Sequence, residues 1–92
     1  GIYAVIPNSK RLGGFVPETS YVFADANTKA KAGDLAVCIN ADFSKISSEE
    51  TVEAQIVAVR QDANGKLYGH ISNPEEKITG KTMHKIVMIV MQ

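Results

Sequence analysis

The chain has 92 residues, enough for one small domain, and its ten Lys and Arg balance ten Asp and Glu for a formal net charge of zero. A neutral chain lacks the clustered, uncompensated cations of a dedicated nucleic-acid surface or a polybasic membrane patch. Its 45% hydrophobic and 22% charged residues exclude wholesale disorder, and a chain of this length buries only about 60–65% of its unfolded surface, so a partner would add to a modest core.

Taken in order, Ile2 to Ile6 is apolar and β-branched and ends at Pro7-Asn8-Ser9, which predicts a short strand. Gly13-Gly14 breaks the following loop, Phe15-Val16-Pro17 is a brief extended piece, and Tyr21 to Phe23 is the next strand. Asn27 to Lys31 is polar and predicts a turn or a single helical turn. Leu35 to Ile39 is apolar on both faces, which predicts a central, buried strand. Ala41 to Thr51 is a polar excursion with a helical turn expected near Ser47 to Glu50.

Val52 to Arg60 predicts a long strand, with Ala54, Ile56 and Ala58 on one face and Gln55, Val57 and Val59 on the other. Asn64-Gly65 then signals a hairpin, because both residue types tolerate positive φ. Lys66 to Ser72 returns, Asn73-Pro74 turns, Gly80 breaks, and Lys85 to Met91 closes the chain. No stretch sustains a helical period. The expectation is a mainly β single domain over residues 1–92. It has about six or seven short strands in a partly closed barrel or sandwich, an Asn-Gly hairpin and at most one short helix. The start at Gly1 rather than Met suggests a fragment of a longer protein.

Candidate chemistry is sparse. Cys38 is the only cysteine, so no intrachain disulfide and no Cys-based zinc site can form, and a reducing, cytoplasmic setting is expected. Its neighbours Val37 and Ile39 predict a buried, inert thiol. His70 and His84 lack metal-ligand spacing, the glycines match no phosphate-binding pattern, and Glu49-Glu50 and Glu75-Glu76 fall in polar loops. No cofactor, metal or membrane partner is expected, and the longest apolar run, Ile86 to Met91, is far short of a membrane span of about 18–20 residues. That run is apolar on both faces, however, and predicts one face on the core and the other on a second copy. Strand alternation offers either Ile86, Met88 and Val90 or Val87, Ile89 and Met91 to the partner, and an exposed strand edge would be a further template for pairing.

The order of Gly33-Asp34-Leu35-Ala36-Val37, a polar excursion, a long strand, the Asn64-Gly65 hairpin and a final His84-Lys85-Ile86-Val87-Met88-Ile89-Val90 strand resembles the C-terminal domain of the SOS and phage repressor family, with its S24 peptidase-like fold. The resemblance covers about residues 20–92. In that family a serine ahead of the Gly-Asp pair attacks, and a lysine on the hairpin's return strand deprotonates it. In register those positions hold Asp25 and His70, so the chain departs from the family where the chemistry resides. The resemblance therefore implies a fold relative without proteolysis, whose role is self-association of a phage- or prophage-type transcriptional repressor. DNA would be contacted only through a domain absent from this chain. Asp25 and His70 are expected to face each other as an ion pair in place of the Ser–Lys pair. Two other readings are a residual peptidase using Ser20 with Lys66 or Lys85, and a small β-barrel binding module presenting Tyr3, Tyr21, Phe23 and Tyr68.

Overall fold

A computed structural model describes residues 1–5, 20–39, 42–45, 54–71, 77–79 and 82–90. The strands are β1 (Ile2–Val5), β2 (Tyr21–Lys29), β3 (Leu35–Ile39), β4 (Ala54–Gln61), β5 (Leu67–His70) and β6 (Thr82–Val90). They form one antiparallel sheet in the order β1-β2-β6-β3-β4-β5. The domain is mainly β, as its short apolar runs and turn residues require. The helical content of the described residues is a single 3-10 turn, Phe43–Lys45, held by Asp42, whose carboxylate accepts from the Ser44 backbone and hydroxyl. The sheet is not closed into a barrel: β1 and β5 are its outer strands. The extended piece expected at Phe15-Val16-Pro17 and the helical turn expected near Ser47 to Glu50 lie outside the described residues.

Both faces of the sheet carry apolar clusters, and the two-residue period of the strands sorts them. Val22, Ala24, Val37, Ile39 and Ile56 are buried on one face, with Tyr3, Val5, Ile86 and Ile89 packed against them. Ala30, Ala36, Cys38, Val57 and Val59 are buried on the other, with Leu67, Ile71 and Met83 alongside. Successive residues of β3 and β4 therefore enter different clusters, which is why these strands lack polar alternation. Cys38 belongs to the second cluster, and burial pushes its thiol pKa up, away from the reactive thiolate.

β2 is longer than its apolar Tyr21–Phe23 segment. It continues through the polar stretch read as a turn because Asp25 ties that stretch into an irregular extension of the strand. The Asp25 carboxylate accepts from the Asn27 amide and the Thr28 hydroxyl, both at 2.9 Å. Asp25 pairs with Lys85 and Lys29 with His84, so the residues between Asp25 and Lys29 form a bulge against two adjacent residues of β6. This local hydrogen bonding is the usual alternative that Asp offers the backbone.

The β4–β5 hairpin forms where Asn64-Gly65 predicts it, with different turn geometry. Within the hairpin Gly65 alone has positive φ, at 83°, and among the described residues no non-glycine residue does. The Gly65 amide donates to Asp62 O and the Asp62 amide to Lys66 O, so a type I turn leads into a left-handed glycine bulge. The Asp62 carboxylate accepts from the Asn64 and Lys66 amides, which frees Asn64 from the left-handed region. Beyond β5, Ile78 exchanges two backbone hydrogen bonds of 2.7 Å with Gly69 and covers part of that outer edge.

Gly69 is required by packing. A Cβ there would lie 2.6 Å from a methyl of Val57, which is fully buried. Gly69→Ala is expected to destabilise the fold by about 1–3 kcal/mol through overpacking, read from the urea midpoint of unfolding. An unchanged midpoint would show that β5 can move away from β4 at no cost.

Candidate functional site

β6 does not lie at the edge of the sheet. It sits between β2 and β3, paired with β2 along most of its length and with β3 through Thr82 to Lys85. Beyond Lys85 it is paired on the β2 side only, among the described strands, so the expected open edge is confined to its second half.

Strict alternation fails in this strand. Phe23 pairs with Met88 and Ala24 with Ile86, leaving Val87 as an extra residue in a bulge. Ile86 and Ile89, three positions apart, both turn into the first cluster. Val87, Met88 and Val90 are left exposed at 47, 52 and 41% of their full area. Neither of the two alternating sets expected from the sequence is thus presented intact: the exposed set draws on both. Met91 lies outside the described residues.

The register extends this apolar surface across two more strands. Met88 is opposite Phe23, which is opposite Ala4, while Val90 is opposite Tyr21. Ile2, on the same side of β1 as Ala4, is 65% exposed. Residues directly opposite in a sheet share a face. The outer side of β1-β2-β6 therefore carries an apolar surface in the rows Ala4-Phe23-Met88 and Tyr21-Val90, bordered by the row in which Ile2 lies opposite Asp25 and Asp25 opposite Lys85.

The opposite face of the same three strands holds a polar contact. The Tyr3 hydroxyl lies 2.7 Å from His84 Nδ1, with the rings edge to face at 5.5 Å. Tyr3 is pushed up to about 12 by burial, so its hydroxyl stays protonated. The hydroxyl and Nδ1 share one hydrogen bond, whose donor is set by the imidazole tautomer. Desolvation holds His84 below its ordinary pKa, and the amine of Gly1 pushes the same way. Asp25 opposes both without reversing the direction. The Asp25 carboxyl is itself held below the usual range by its hydrogen bonds to Asn27 and Thr28.

The Asp25–His70 ion pair expected from the resemblance is corrected by the strand order. Asp25 is on β2 and His70 on β5, with β6, β3 and β4 between them, roughly 19 Å of sheet at about 4.8 Å per strand. The His70 ring lies 2.8 Å from the Ile71 carbonyl oxygen through Nδ1. The nearer imidazole to Asp25 is that of His84, which carries no motif in the sequence. Its only signal was its place on the closing strand.

The residual-peptidase arrangement also loses its base. Ser20 is buried at the head of β2, and Lys85 faces Asp25, five residues along that strand, roughly 17 Å away at about 3.4 Å per residue. Lys66 lies in the β4–β5 hairpin across the sheet. The four aromatic residues considered for a binding groove do not gather either. Tyr3 packs on the inner cluster, Tyr21 and Phe23 stand on the outer side of β2, and Tyr68 meets the Lys77 ammonium at 4.8 Å on β5. Among the described residues, no three His, Cys, Asp or Glu side chains come together as a metal set, and no helix is long and apolar enough to cross a membrane.

No family model, no curated protein and no solved structure matches this chain.

Two outcomes follow from these side chains. Because the folded pKa of His84 lies below its unfolded value, the unfolded state binds the proton more readily. The stability contributed by neutral His84 is full above about pH 6.5 and is lost as pH falls through the folded value. Unfolding midpoints measured from pH 8 downwards should fall across this window in the native chain and flatten there in His84→Gln; parallel curves would refute it. Ser20 Oγ is buried with no hydrogen-bond partner among the described residues. Ser20→Ala is therefore expected to raise stability by about 1 kcal/mol, measured by chemical denaturation, because an unsatisfied hydroxyl is removed.

Proposed function

We propose that this chain is a non-catalytic self-association domain. The observation that carries this reading is the exposed apolar surface on the outer side of β1-β2-β6, centred on Met88 and Val90 and reaching Ile2. Apolar area of this kind is stabilised by removal from water, and a second copy presents the same surface about a two-fold axis. The zero net charge adds no long-range repulsion between copies. The edge of β6 beyond Lys85, which no described strand covers, lies beside the surface and offers backbone groups to the same partner. Of the six residues expected to associate, Val87, Met88 and Val90 make the contact in this reading, while Ile86 and Ile89 support it from the core side.

The setting that fits such a domain best is a phage- or prophage-type transcriptional repressor, with oligomerisation bringing separate DNA-binding domains onto paired half-sites. What supports this setting is the order of motifs from Gly33-Asp34 to the closing strand, together with a mainly β fold.

Sedimentation equilibrium tests the association. The chain is expected to be dimeric or larger at high micromolar concentration. Met88→Glu should weaken association at least about tenfold, equivalent to roughly 1.4 kcal/mol, with little change in the monomer's unfolding midpoint because Met88 is half exposed. A native chain that stays monomeric sinks the proposal.

A further inference from the structure

A separate feature lies at the other end of the sheet, on the side of the second apolar cluster. The turn after β2 and the β4–β5 hairpin border an open trough of about 760 Å³. This is within the roughly 300–1,000 Å³ typical of small-molecule sites. Lys29 at the end of β2 and Lys31 just after it line the trough from one segment, and Lys66 in the hairpin lines it from another. Leu67 and Met83, both partly buried against the second cluster, supply apolar lining, and Thr79 adds a hydroxyl.

The carboxylates close to these lysines in sequence are committed elsewhere. Asp34 accepts from the Lys31 backbone amide and lies 3.9 Å from the Lys85 ammonium. Asp62 accepts from the Lys66 and Asn64 backbone amides, which with the weaker pull of the Lys77 and Lys66 charges hold its carboxyl below the usual range. Both hold turns and neither lines the trough. Among the described residues no ion pair engages the ammonium groups of Lys29, Lys31 or Lys66. In a chain whose charges balance overall, three lysines thus line one concavity and favour an anion there. Lysine acts as a compact, mobile point charge, which suits a carboxylate, phosphate or sulfate head without fixed bidentate geometry. The apolar lining asks for a hydrocarbon part on the same molecule.

We infer that this trough is a binding site for a small organic anion with an apolar portion, its head among Lys29, Lys31 and Lys66 and its body against Leu67 and Met83. The inference is independent of self-association, because the trough and the exposed β1-β2-β6 surface share no residue.

Hexyl phosphate is a suitable probe, titrated into the full chain and followed by amide and methyl NMR. The expected result is saturable shifts at Lys31, Lys66, Leu67 and Met83, with affinity about tenfold above that of hexanol or of inorganic phosphate, since each lacks one half of the recognition. The double substitution Lys31→Gln, Lys66→Gln, at two exposed positions, should weaken binding about tenfold while leaving the unfolding midpoint in place. Hexyl sulfate binding as well as hexyl phosphate would identify charge as the shared chemistry, as expected. Absence of saturable shifts at these residues overturns the proposal, as does equal binding of hexanol. Tighter binding of a short single-stranded oligonucleotide at the same amides would overturn it in favour of a nucleic-acid site. Met88→Glu should bind hexyl phosphate as the native chain does, which separates this test from that of association.

Discussion

The architecture depends on one strand being shared. β6, the last strand in the chain, pairs with β2 on one side and β3 on the other. Remove it and the sheet falls into two parts, β1-β2 and β3-β4-β5, each too small to bury its apolar faces. A two- or three-stranded antiparallel piece of this size is marginal in water. The β2–β6 pairing joins residues some sixty positions apart, so its loop-closure entropy must be met before the central contacts can repay it. The fold is therefore cooperative around its C-terminal strand.

The same sharing explains why apolar residues reach solvent there. β6 is apolar on both sides, and β3 covers it only as far as Lys85. The bulge at Val87 brings Ile86 and Ile89 to one cluster, and Val87, Met88 and Val90 are turned outward. Their exposure is a consequence of local strand geometry acting on an uninterrupted apolar run. A regular strand would have buried one of the alternating sets in full. The same strand presents His84 to Tyr3 on the inner face, beside Ile86 and Ile89.

Much of the outline was legible before any coordinates. Gly33-Asp34 before Leu35 to Ile39, and Asn64-Gly65 between two β-type runs, correctly mark a buried central strand and a hairpin. The two faces of β4 divide as the alternation of Ile56 and Val57 requires. The site was less legible. The ion pair assigned to Asp25 and His70 assumed a chain register borrowed from a resemblance, while the positions of these residues depend on strand order. Asp25 instead uses its carboxylate within two or three residues of itself, and it extends β2 through a polar stretch that looks like a turn. The three lysines of the trough carry no motif, since they come from two segments that only the folded sheet brings near each other.

By itself, the sequence determined the strand class, the approximate positions of the strands, the hairpin and the absence of any intrachain disulfide. These follow from residue-level preferences and from a period of two that acts over a few neighbours. Tertiary structure alone decided that β6 lies between β2 and β3, that two bulges interrupt β2–β6 pairing, and which apolar residues face outward. Pairing partners are distant in the chain, and a bulge exists only relative to the strand opposite. No local pattern of side chains encodes either one.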